Sequence, residues 1–135
     1  MYRSATPGFS LLELLITLSI VAILASITVP SYRGYVARAR RTDAISALLQ
    51  LQLAQLRWRA THPAYARRPA ELDGGATPSP DDYYGLRILR SSAGDFLALA
   101  SPRGAQQGDA CGIFAISAQG PVTLAPYAGA DCWRR

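Results

Sequence analysis

Glu13 is the single charged residue between Phe9 and Val29. As a helix at ~1.5 Å per residue, this apolar run reaches roughly 30 Å, the thickness of a bilayer's hydrocarbon core. A carboxylate there is unfavourable by about 2.5–3.5 kcal/mol at mid-depth and by less near an end. The chemistry it invites is pairing with a cation. Other reactive groups are sparse. His62 is the one histidine and precedes Pro63 with no companion metal ligands. Asp81 and Asp82 lie beside Pro80 and read as a turn or cap rather than an acid–base pair. No nucleophile elbow or phosphate loop is present. The sequence therefore predicts no catalytic residue, no metal and no cofactor. Arg57, Trp58, Arg59, Arg67 and Arg68, with Tyr65 among them, form an Arg-rich stretch. Such a patch suits a phosphate backbone and stacked bases; the plainer alternative is a solvated helix end with its aromatics packed down.

The elements that position these groups follow from pattern. Residues 9 to about 60 read as one long helix. Pro30 and Gly34 predict a kink, static or locally melted, near residues 28–34. Beyond it Ile45, Leu49, Leu53, Leu56 and Ala60 recur at helical spacing and are expected to pack on a sheet. Leu48 and Leu51 widen that stripe, with core packing or contact to other subunits as their alternatives. Residues 61–82, rich in Pro, Gly and Asp, read as a loop. Strands are expected at 83–90, 95–101, 111–117 and, as a fourth, 121–125. In the second, Phe96, Ala98 and Ala100 share one face and Leu97 and Leu99 the other. Short turns between sequential strands favour an antiparallel meander. The fold class is α+β: a long N-terminal helix on a small antiparallel sheet of three to four strands.

All 14 basic residues are arginine, and the formal net charge of +5 is compatible with anionic lipid or nucleic acid without requiring either. Cys111 and Cys132 suggest one disulfide in an oxidising compartment, against the alternative of two reduced thiols in the cytosol. Joined, they would close a loop that contributes about 3 kcal/mol in the chain-entropy model. The apolar run is too long for a signal peptide. As a plain anchor it conflicts with itself: Arg33, Arg38, Arg40 and Arg41 after it, against Arg3 before it, put the C-terminal side in the cytoplasm, whereas the cysteines argue for export.

Gly8-Phe9 followed by Ser10-Leu11-Leu12-Glu13 resembles the cleavage signature of type IV prepilins. Pro30, Ser31, Tyr32 and Tyr35 fit the same pattern. Residues 35–49, the stretch "DACGIFAISAQG" and the later "DCW" resemble the minor pilin E subclass. Residues 57–75 depart from it in being richer in arginine. The resemblance implies that a prepilin peptidase cuts between Gly8 and Phe9 and methylates the Phe9 amine. Residues 1–8 would then be a leader, 9–29 a transmembrane and assembly helix, and 30–135 an amphipathic helix half with a globular head and a disulfide-bounded C-terminal region. Glu13 would pair with the Phe9 amine of a neighbouring subunit, and the stretch around Pro30 would unwind in the fibre. The implied partners are major and minor pilins in a helical filament, the peptidase, an inner-membrane assembly platform, and membrane lipid before assembly. The head would be periplasmic, then displayed on a cell-surface pilus. The expected function is a structural minor pilin; alternatives are a type II secretion pseudopilin, a DNA-binding pilin, or an anchored periplasmic enzyme.

Overall fold

The computed structural model describes residues 8–75 and 77–134. Residues 1–7 of the expected leader, Arg3 among them, lie outside the described residues. The chain divides into two compact units between Val36 and Ala37.

Helix α1 spans Leu11–Arg59. Its first part is apolar and exposed on every side, and α1 is long and apolar enough to cross a membrane. Its hydroxyls are satisfied within the helix. Thr17, Ser19 and Thr28 donate to the carbonyls four residues back, and Ser26 to that of Ile23, at 2.7–2.8 Å. Such pairing removes the penalty of a bare hydroxyl in hydrocarbon. The helix runs through Pro30 and Gly34 without interruption. Proline removes one ladder bond, and the turns on both sides keep theirs.

In the second unit β1 (Tyr84–Ser91), β2 (Phe96–Pro102), β3 (Phe114–Ser117) and β4 (Gly120–Pro121) form an antiparallel meander in sequence order. β3 starts three residues later than expected, leaving Cys111 in a turn. There Gly112 takes the left-handed φ of +59° that glycine adopts without strain, and its N–H donates to the Asp109 carbonyl. β4 is two residues rather than five.

The sheet buries both faces. On one, Phe96, Ala98, Ala100, Phe114 and Ile116 join Tyr84 and Leu86 against the helix. On the other, Leu97, Leu99 and Ala115 are covered by Ile113, Val122 and Tyr127. The strand alternation predicts this division, but the helix stripe matches only in part, at Ile45 and the flanking Leu48 and Leu51. Ala44, Ile45, Ala47, Leu48 and Leu51 are buried, whereas Leu49, Leu53 and Leu56 stay 42–49% exposed. The face is turned by about one residue, near 100°.

Polar side chains within the buried stripe account for the turn. Gln55, fully buried, accepts from the Ala66 N–H (2.8 Å) and donates to its carbonyl (2.9 Å). Asp43 accepts from the Ser79 hydroxyl and from the N–H groups of Asp81 and Tyr83. Both fix the long loop to the helix, and rotating Leu49 and Leu53 inward would break them. Arg41 makes a bidentate pair with Asp109 at 2.6 and 2.8 Å, which raises the guanidinium pKa further. The Cys111–Cys132 disulfide closes the C-terminal region, and Trp133 packs edge-on against Phe114 at 5.4 Å.

Candidate functional site

In the first unit the candidate residues lie at the start of α1. A Cβ built on Gly8 would meet nothing within 4 Å, so packing among the described residues does not require glycine there. Phe9 is 76% exposed. Glu13 occupies the first helical turn, where free N–H groups and the helix dipole favour an anion. Its carbonyl accepts from Thr17. Its carboxylate makes no ion pair among the described residues.

In the second unit the Arg-rich stretch separates into engaged and free members. Arg59 donates to the carbonyls of His62 and Ala93, both at 2.9 Å, tying the helix end to the β1–β2 turn. Trp58 stacks on His62 with ring centres 3.6 Å apart and planes 5° from parallel, so one of its faces is already covered. Tyr65 packs on Phe96. Arg68 pairs with Glu71 at 3.0 Å. The N–H of Arg67, and then the Arg68 side chain, hold the Glu71 carboxyl below its ordinary pKa. Arg57 and Arg67 have no side-chain hydrogen bond among the described residues.

Arg57 borders a groove that also carries Asp73, which offsets its field. Arg67 instead shares an open recess with Ile88, Leu89, Arg90 and Ser91. That lining holds two guanidinium groups and no carboxylate. The other carboxylates of the adjoining turns are engaged: Glu71 as above, and Asp95 by the Ala118 N–H.

Arg90 and Leu89 were not among the residues singled out from sequence. Ile88 pairs with Ala98 and Arg90 with Leu97, so Leu89 is the extra residue of a β-bulge. Strict alternation would send Arg90 inward with Tyr84 and Leu86. The bulge turns it to the face of Leu97, beside Arg87, which pairs with Leu99. The adjacent apolar pair Ile88-Leu89 between two arginines is the only trace of this in the sequence.

Comparison with known proteins supplies the decisive observation. Residues 30–115 match the family described as "Type IV minor pilin ComP, DNA uptake sequence receptor". The chain belongs to this type IV minor pilin family. Residues 3–29 of this minor pilin match the prokaryotic N-terminal methylation motif. Among curated relatives, it is 33% identical over 94 residues to the type IV major pilin protein PilA of Myxococcus xanthus, covering 70% of this chain and 41% of that protein. It is 39% identical over 70 residues to the type IV major pilin protein PilE1 of Neisseria gonorrhoeae, covering 47% and 33%. A fimbrial protein of Pseudomonas aeruginosa is 44% identical over 50 residues, covering 37% and 32%. The chain thus spans less than half the length of the curated relatives it matches.

Proposed function

We propose that this minor pilin is cut between Gly8 and Phe9 by a prepilin peptidase. It then enters a type IV filament with other pilins through an assembly platform, its Glu13 facing a neighbour's Phe9 amine. Before assembly α1 anchors it in the inner membrane, with the head in the periplasm, where the disulfide is at home. Its role is structural, and its head takes up DNA. One observation carries the DNA reading: Arg67 and Arg90 line a recess without a carboxylate, inside the region matched by a family described as a DNA uptake receptor. The same match favours a pilus over a type II secretion pseudopilin. Each guanidinium placed on a phosphate releases a condensed counterion, so binding weakens linearly in log–log terms with salt.

Fluorescence anisotropy of the mature full chain in detergent, with a labelled duplex at increasing salt, tests this. Arg67→Glu with Arg90→Glu should weaken binding and flatten the salt slope by about two phosphate contacts, each worth ~0.9 in slope. Unchanged affinity and slope would remove these arginines from the interface.

A further inference from the structure

We infer that Leu89 is a specificity-determining residue that contacts thymine methyl groups in the DNA that Arg67 and Arg90 hold. The inference rests on the DNA reading of the same recess and adds a base contact to it. Leu89 is 52% exposed, on a face of β1 that is open at Arg87 as well. As the extra residue of the bulge it has no cross-strand partner. Bulges of this kind re-aim a side chain. Here the re-aimed side chain is Arg90, which lines one recess with Leu89, Arg67 and Ser91.

β1 is an edge strand of the sheet, flanked by the segment that carries Arg67; the Tyr65 N–H of that segment donates to the Ser92 carbonyl. The charges select the ligand class: paired guanidinium groups without a carboxylate suit a polyanion. Two guanidiniums on phosphates fix register but carry no sequence information. An apolar side chain in the same recess has one apolar group to meet on a base edge in the major groove, the C5 methyl of thymine. Ser91, beside Arg90, adds a hydroxyl that bonds to either a phosphate or a base. The arrangement separates holding from reading, with arginines doing the first and Leu89 the second.

The test uses one set of DNA fragments copied twice, with dTTP or with dUTP, so that only the methyl differs. Mature full-length protein in detergent should bind the thymine copies roughly three- to fourfold more tightly for each methyl covered, the ratio expected for burying one such group. Leu89→Ala should bring that ratio to one while the salt slope stays at the native value. Leu89→Met, which keeps an apolar side chain, should retain most of the preference. Equal binding of the two copies by the native protein overturns the inference and leaves the DNA reading intact. A ratio unchanged in Leu89→Ala also overturns it. Binding of neither copy overturns the DNA reading and this inference together.

Discussion

Glu13 and Gln55 pose one problem, a polar side chain in apolar surroundings, and meet it in different ways. Gln55 is fully buried and returns both its donor and its acceptor to the backbone of Ala66. Gln55→Leu keeps the volume but strands that N–H and carbonyl, each costing about 1–3 kcal/mol when buried and unpaired. Urea unfolding should therefore show a loss of roughly 2–6 kcal/mol, well beyond that of a surface change. Between Leu11 and Val29 every hydroxyl finds a carbonyl in its own helix, and Glu13 alone has no side-chain partner among the described residues. An external cation is what remains. The Gly8–Phe9 junction supplies one if it is cut, because cleavage creates an amine one helical turn from Glu13. Intact mass spectrometry of protein from the native membrane should give a chain starting at Phe9 with one added methyl. A chain starting at Met1 would leave Glu13 without that amine and refute the assembly role.

At the scale of elements, the sheet was more legible than the helix. β2 alternates because its two faces meet different covers, so period two survives in Phe96 to Ala100. The helix is apolar on two adjoining faces, and periodicity alone cannot rank them. Its buried face contains Asp43 and Gln55, residues that pattern counts as polar, and partners far along the chain decide their burial. Two truncations test the assignment. Leu48→Ala should lower stability by about 2–5 kcal/mol, as a fully enclosed leucine does. Leu53→Ala, half exposed, should fall nearer the ±0.5 kcal/mol of surface changes. Equal losses in urea titrations of the full chain would return the core to the Leu49–Leu53–Leu56 stripe. The bulge in β1 escaped the sequence for a related reason. Alternation assumes one residue per register step, and the extra residue is visible only when Ile88 and Arg90 are seen to pair with adjacent positions of β2. The disulfide was legible because two cysteines allow one pairing.

For the molecule as a whole, the proposed tasks rest on different residues in different compact units, Glu13 before Val36 and the recess of Arg67 and Arg90 after Ala37. That separation makes a reciprocal prediction. Glu13→Val replaces an unfavourable charge in the membrane by an apolar side chain, so insertion should proceed at least as well as in the native chain. In the filament the same change leaves a neighbour's amine unpaired in low dielectric, where screening by water and salt is weak. The variant should therefore accumulate in the membrane and be depleted from sheared filaments. Purified in detergent, it should bind DNA with native affinity and native salt slope. Arg67→Glu with Arg90→Glu should do the reverse, entering filaments at the native level and losing DNA binding. Neither Glu13 nor the two arginines belong to the core, so both variants should unfold at native urea concentrations. Glu13→Gln retains shape and hydrogen bonding without the charge, and its filament level should fall between native and Glu13→Val. The measurements are the filament-to-membrane ratio of each variant and its anisotropy titration. If Glu13→Val enters filaments at the native level, charge pairing does not drive docking. If the arginine variant is also missing from filaments, its recess belongs to a subunit contact, and DNA must be held elsewhere on the head.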